Sequence, residues 1–147
     1  MQPHIKNDLL YLLRILEASQ KLRLYAEGFK NYEDFYYSND QLEFNACLNQ
    51  MAQIGEQAKR ISDTLIDKHR NVPWPQIKGF RNRVIHEYIG IDTENVFRII
   101  RIDVPKLHDQ VILIISEELQ NGTFENEEFE IAKTSPYLKH VDFSLFW

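Results

Sequence analysis

The chain of 147 residues fits one domain that can bury a core, and its single cysteine excludes an internal disulfide framework or a cysteine-based zinc cluster. A net charge of −5 argues against a protein that coats nucleic acid. No stretch approaches the roughly 20 apolar residues of a membrane span, and residues 1–4 do not begin a signal peptide. We expect a cytoplasmic protein without a membrane partner.

The first half of the chain predicts helices, because apolar residues recur at helical spacing. Residues 5–27 form a long helix, and residues 31–37 form a short aromatic one. Ser38 or Asn39 can cap a second long helix that ends near Lys68.

Small residues on this second helix predict packing rather than chemistry. Gly55 and Ala58 would allow another helix to cross closely. Cys47 lies beside apolar neighbours, so we expect a buried small hydrophobe and not a nucleophile.

The helical pattern breaks at residues 69–75, where prolines disfavour helical conformation in the residues before them. A third helix is predicted from Gln76 to about Tyr88, and Asp92 caps a last long helix. Pro105 inside that last helix should kink it or restart it.

These elements predict an all-α fold, an up-and-down bundle of four main helices plus short helical segments, over residues 1–120. Residues 121–147 differ, because an acidic stretch is followed by aromatic residues. We expect an irregular acidic–aromatic tail whose aromatic side chains dock on this chain or on a partner.

The densest group of polar residues, residues 80–88, lies at the end of the third predicted helix and is called the polar segment below. On an ideal helix Asn82 and His86 share a stripe, whereas Arg81 and His86 are separated by about 140°. Arg81 nearly eclipses Tyr88 instead. Arg81 and His86 would therefore converge only through a distorted helix end or a two-fold homodimer.

Arginine plus histidine without metal ligands suits phosphoryl transfer on RNA. His86 can take a proton from a 2′-hydroxyl or give one to the leaving 5′-oxygen. Arg81 offers donors to the charge on phosphorus, and Asn82 can orient the imidazole or bind a phosphate oxygen. The predicted reaction is transesterification that leaves a 2′,3′-cyclic phosphate, with no metal and no cofactor.

A structural interpretation of the same residues remains open. Arg83 and Glu87 could form an ion pair one turn apart, with His86 as a cation at the helix end and Tyr88 in the core. Asn82 directly after one arginine, and Tyr88 two residues after the histidine, make a chance arrangement harder to obtain.

The pattern Arg81-Asn82, three residues, His86, one residue, Tyr88 resembles the R-N-x-x-x-H-x-Y signature of the HepT-like branch of the HEPN superfamily. The resemblance covers about residues 5–120 and includes the Ile-Gly-Glu sequence around Gly55 and the Pro-Trp entry before the polar segment.

The resemblance implies a homodimeric helical bundle that acts as the metal-independent ribonuclease toxin of a type VII toxin–antitoxin pair. Arg81 and His86 would be catalytic on an RNA substrate, tRNA or mRNA, with Asn82 supporting them. The partner would be an MntA-type minimal nucleotidyltransferase, an antitoxin that transfers AMP from ATP to Tyr88.

Two other functions remain open. One is a catalytically inactive helical dimer that presents Tyr88 or a nucleotide to a nucleotidyltransferase. The other is a structural helical domain that mediates interactions and carries the polar segment as surface.

Overall fold

The computed structural model describes residues 3–80, 82, 85–86 and 90–147, and for residues 3–6, 85–86 and 90–91 it describes the backbone alone. Helices dominate these residues, as the predicted all-α fold requires. The α-helices are Pro3–Ala26 (α1), Tyr32–Tyr37 (α2), Leu42–Arg60 (α3), Asp63–Lys68 (α4), Trp74–Lys78 (α5), Thr93–Arg98 (α6), Val104–Gln120 (α7) and Asn126–Ala132 (α8). Two-residue strands, Ile85–His86 (β1) and Gly90–Ile91 (β2), lie between α5 and α6.

The core lies where α1 packs against α3 and α7. Each helix turns one apolar stripe inward, as period-3.6 patterning requires. The buried side chains include Leu12, Leu16 and Leu22 of α1, Met51, Ile54 and Ala58 of α3, and Leu107, Val111 and Ile115 of α7. Cys47 is buried among them, and burial raises the pKa of its thiol to about 12, so its predicted packing role is confirmed.

The second long helix predicted to reach Lys68 is interrupted at Ser62. The Ser62 hydroxyl accepts a hydrogen bond from the Leu65 N–H at 3.3 Å and so caps α4. The buried Asp8 carboxylate of α1 holds this break, because it accepts from the Ser62 N–H at 2.9 Å and from the hydroxyl at 2.5 Å. The predicted single helix is therefore two helices, and the cap between them is held by a residue of α1.

The start of α3 also differs from the prediction, because neither Ser38 nor Asn39 caps it. Asn39, Asp40 and Gln41 all adopt positive φ angles, and α3 begins after Gln41 without a side-chain cap. Asn39 instead donates from its side chain to the Glu43 carboxylate at 2.5 Å. Asn and Asp tolerate the left-handed region better than most residues, which allows this turn.

The break predicted at Pro105 is confirmed. A π-helical stretch, Ile99–Asp103, separates α6 from α7, and Pro105 lies in the first turn of α7. Proline has no N–H to donate to the carbonyl four residues earlier, so the hydrogen-bond pattern shifts before it.

Residues 121–147 fold against the bundle and are not the irregular tail that was predicted. They contain α8 and two short 3₁₀ turns, Pro136–Leu138 and Phe143–Leu145. Glu127 and Glu130 are exposed on α8, while some of the apolar side chains are buried against the bundle. The buried ones are Phe124, Phe129, Leu138 and Val141. Within the described ranges, no helix is long and apolar enough to cross a membrane.

Candidate active site

The polar segment is entered through α5, whose first residue is fixed by a hydrogen bond to the preceding turn. The buried Trp74 indole N–H donates to the His69 carbonyl at 3.0 Å. Pro73 precedes it at the helix start, where a missing N–H costs nothing. The turn after α4 therefore sets the direction in which α5 leaves.

That turn is held in place by a buried carboxylate on α7. Glu118 Oε2 lies 2.6 Å from His69 Nε2, and Lys68 Nζ donates to Glu118 Oε1 at 2.8 Å. Burial raises the pKa of the Glu118 carboxyl, but hydrogen bonds from Lys68, His69 and Thr123 outweigh it and leave that pKa below its usual value. Glu118, Lys68 and His69 are called the Glu118 cluster below.

The Glu118 cluster was not predicted, although the sequence carries a signal for it. Glu118 follows Val111, Ile114 and Ile115 at helical spacing, so a carboxylate interrupts an otherwise apolar stripe. Such a residue needs a buried partner, and His69 at the helix break was a candidate.

The far end of α5 lies directly against α3, at Gly55. A Cβ atom placed on Gly55 would lie 2.9 Å from the Lys78 carbonyl oxygen, closer than carbon and oxygen tolerate. The close crossing predicted at Gly55 is confirmed, and it fixes the backbone three residues before Arg81.

Phe80 is the last buried anchor before the polar residues begin. Its side chain is buried and lines a cavity of about 210 Å³ together with Leu107 of α7. Burying a phenylalanine contributes on the order of 2 kcal/mol, so the start of the polar segment is tied to the core.

The third helix predicted to run from Gln76 to Tyr88 ends earlier. The α5 helix stops at Lys78, Gly79 forms its C-terminal cap, and the Phe80 N–H donates to the Ile77 carbonyl at 3.1 Å. Further along, the strand β1 pairs antiparallel with β2, with Ile85 opposite Ile91 and His86 opposite Gly90. Glycine after Lys78 and β-branched isoleucines in both strands favour this over a continuous helix.

The predicted site residues are only partly within the described structure. Asn82 lies in a turn and is exposed. His86 is described by its backbone, in β1, and Arg81 and Tyr88 lie outside the described residues. The convergence of these four side chains stays a prediction.

The backbone at Ile85–His86 is extended, so the ideal-helix geometry that favoured a homodimer does not apply there. The angles between Arg81, His86 and Tyr88 were taken from an ideal helix, and a strand does not follow them. The homodimer is thus no longer supported by helix geometry and rests on the resemblance alone.

The chain after β2 is held by a helix cap. Asp92 caps α6, because its side chain accepts from the Asn95 N–H at 3.1 Å. The cap predicted at Asp92 is confirmed. The polar segment therefore lies between the core of the bundle, reached by Phe80, and the capped start of α6, and the strand pairing places Ile85–His86 beside Gly90–Ile91.

Residues 15–114 match the model of a family described as "Ribonuclease HepT-like". A candidate RNase of Caldanaerobacter subterraneus subsp. tengcongensis is 32% identical over 108 residues, which are 74% of this chain and 94% of that protein. A candidate RNase of Methanocaldococcus jannaschii is 31% identical over 71% of this chain and 93% of its own length. The protein named "Probable ribonuclease HepT" of Thermococcus cleftensis is 28% identical over 66% of this chain and 86% of its own.

No solved structure matches the chain with comparable significance. The family match spans α3, α5, the polar segment and most of α7, so it includes both the predicted catalytic residues and the anchors around them. The chain belongs to the HepT-like ribonuclease family.

Proposed function

We propose that this protein is a ribonuclease toxin that cuts RNA without a metal ion and is neutralised by a nucleotidyltransferase antitoxin. The observation that carries the proposal is the ribonuclease family match over residues 15–114, which includes the whole polar segment. The exposed Asn82, two residues after the buried Phe80, is consistent with a segment that an RNA strand can reach.

In the proposed reaction the 2′-oxygen of a ribose attacks the adjacent phosphorus, and the bond from phosphorus to the 5′-oxygen breaks. His86 takes the 2′-proton or supplies the proton to the leaving 5′-oxygen. Arg81 stabilises the added negative charge, and Asn82 orients the imidazole or a phosphate oxygen. In the homodimer that the resemblance implies, two copies of each residue would share one cleft.

The proposed control acts on Tyr88. An antitoxin of the minimal nucleotidyltransferase type would transfer the AMP part of ATP to the phenol oxygen, with pyrophosphate as the leaving group. The added phosphate would lie close in sequence to Arg81 and His86 and would compete with RNA for them. We therefore expect loss of RNA cleavage without loss of the fold.

A cleavage assay tests the proposal. Purified protein is incubated with end-labelled single-stranded RNA in excess EDTA, and the rate is compared with those of His86→Ala and Arg81→Ala. We expect each variant to be slower by roughly 100-fold or more, as for loss of a general acid–base or charge-stabilising group. Arg70→Ala, which removes an exposed arginine that pairs with Asp67 of α4, is the control and should cleave normally.

Three further readouts sharpen this assay. RNA with 2′-deoxyribose at the cleaved position should resist cleavage, and the product should end in a 2′,3′-cyclic phosphate. Pre-incubation with the cognate transferase and ATP should stop cleavage by the wild type but not by Tyr88→Phe. Equal cleavage by wild type and His86→Ala would contradict the catalytic assignment and favour the inactive binding partner.

A further inference from the structure

A second polar surface lies between α1 and α3, formed by a groove of about 470 Å³. This volume is within the roughly 300–1,000 Å³ of typical ligand sites. Arg14 and Lys21 of α1 and Arg60 of α3 line the groove, on a protein whose net charge is −5. The cations are therefore concentrated here against the overall charge, as a site for phosphate groups requires.

The acidic residue in the lining, Glu17, forms an ion pair with Lys21 but not with Arg14 or Arg60. Its Oε1 accepts from the His140 N–H at 2.6 Å, and its Oε2 lies 2.6 Å from His140 Nδ1 and 3.6 Å from Lys21 Nζ. Glu17 therefore binds His140 of the tail and Lys21 of its own helix. Arg14 and Arg60 are exposed, and within the described part of the chain no carboxylate pairs with either.

The carbonyl oxygen of a buried amide in the groove has no partner among the described residues. Gln57 is only 5% exposed, yet its Oε1 accepts no hydrogen bond. An unsatisfied buried carbonyl is unfavourable, so a donor that reached it from the groove would gain a hydrogen bond. Gln53, one helical turn earlier, and Asn49, another turn earlier, extend the row of amides along α3.

The tail adds an aromatic side chain to the rim. Tyr137 lines the groove but is 84% exposed, while its neighbour Leu138 is buried and fixes the 3₁₀ turn to the bundle. An exposed tyrosine beside cations and amides is the arrangement that proteins use to stack a nucleobase. Tyr137 lies beyond residues 15–114, so this feature is outside the family match.

We propose that the groove between α1 and α3 holds a single-stranded stretch of the RNA substrate. Arg14 and Arg60 contact phosphates, Gln57 accepts from the edge of a base, and a base stacks on Tyr137. The proposal rests on the proposed function, since it takes RNA as the substrate. Gln57 is about 200° around α3 from Gly55, the residue that contacts α5, so the groove is a holding site separate from the polar segment.

Binding of a short fluorescent single-stranded RNA to the cleavage-deficient His86→Ala protein tests the stacking contact. Adding Tyr137→Ala should weaken binding roughly tenfold, whereas Tyr137→Phe keeps the ring and should bind like the parent. Tyr37→Ala removes another largely exposed tyrosine, 72% exposed on α2, and is the matched control. Thermal melts should be unchanged in all of these variants, because both tyrosines lie largely in solvent.

The salt dependence of binding tests the phosphate contacts. Arg14→Ala with Arg60→Ala should reduce the slope of log affinity against log salt by about 1.4, since each phosphate contact on a single strand contributes about 0.7. Arg70→Ala with Lys133→Ala removes the same number of positive charges elsewhere and should leave the slope unchanged. Gln57→Ala should weaken binding, because it removes the carbonyl that accepts from the base.

Unchanged affinity and salt slope in the groove variants, on a parent that binds RNA, would overturn the groove assignment and leave the proposed function intact. A change in sedimentation mass in place of RNA affinity would make the groove a protein interface and would also overturn it. If the wild type neither binds nor cuts RNA, the proposed function fails as well.

Discussion

Two glutamate–histidine pairs with the same distance between the paired atoms hold two different parts of this molecule. Glu118 and His69 are 2.6 Å apart and hold the turn that leads into α5 and the polar segment. Glu17 and His140 are also 2.6 Å apart and hold the tail against α1. His69 is 7% exposed and His140 is 26% exposed, so the difference between the pairs is burial.

Burial determines what each pair contributes. The Glu118 carboxylate is fully removed from water, and its solvation is replaced only by protein donors. Removing the Glu118 charge leaves the buried His69 without its partner, which is costly, whereas Lys68 is 49% exposed and can turn to water. The half-buried His140 can exchange its lost bond for water. The glutamate–histidine pair near the polar segment should therefore contribute more to the free energy of unfolding than the pair in the tail.

The largest effect is expected from Glu118→Gln. The variant keeps the shape of the side chain but removes the charge that Lys68 and His69 face, so the free energy of unfolding should fall by about 2–4 kcal/mol. For a chain of this size, the melting temperature should fall by on the order of 10 °C. Chemical and thermal unfolding measure both values.

Glu117→Gln, at the neighbouring exposed position, is the control and should stay within about 0.5 kcal/mol of wild type. Equal effects in the two variants would show that the Glu118 cluster is not what holds the turn.

The same variant should also change the pH dependence of stability. Because the folded protein holds the pKa of Glu118 below its usual value, the wild type gains stability above that usual value and loses it as the pH falls through the lowered one. Glu118→Gln has no such group, so the stability difference between the two proteins should shrink in acid.

A smaller loss is expected from Gly55→Ala, which attacks the other end of α5. The new Cβ would meet the Lys78 carbonyl at 2.9 Å, and one backbone must move. Alanine favours a helix by about 1 kcal/mol over glycine, so a net loss of about 1–2 kcal/mol would mean that strain wins. The rate of RNA cleavage should fall by more than the loss of folded protein alone would cause, because the displaced backbone leads directly into the polar segment.

Gly79→Ala is the matched control for this variant. Its nearest backbone atom would be 3.7 Å away, an ordinary contact, so its stability should be close to wild type. A stable, fully active Gly55→Ala protein would show that the contact between α3 and α5 does not position the polar segment.

The features that sequence analysis predicted correctly depend on neighbours in the chain or on a single side chain. Pro105 disturbs its own helix by lacking an N–H, and Gly55 offers a surface without a Cβ whatever lies opposite. The break at Ser62 could not be predicted in this way, because the carboxylate that holds it, Asp8, lies 54 positions earlier in the chain.

The candidate site also has a part that the sequence predicts and a part that it does not. The order of Arg81, Asn82, His86 and Tyr88 is a property of the sequence, and all four lie within the range of the family match. The backbone that carries these residues is a property of tertiary structure, and the helix predicted through His86 was wrong. The groove on α1 and α3 was missed altogether, because Tyr137 reaches it only through the folded tail.

The smallest effect is expected from Glu17→Gln, and it distinguishes the two pairs most directly. The amide oxygen can still accept from the His140 N–H, and water reaches the imidazole, so the free energy of unfolding should fall by only about 1 kcal/mol. The tail should nevertheless detach more often, and limited trypsin digestion should cut after Lys133 or Lys139 faster than in wild type. Glu27→Gln, exposed beyond the end of α1, should leave digestion unchanged. If Glu17→Gln instead destabilises the whole bundle as much as Glu118→Gln, burial does not set the difference between the pairs, and the tail is as integral to the fold as the turn before α5.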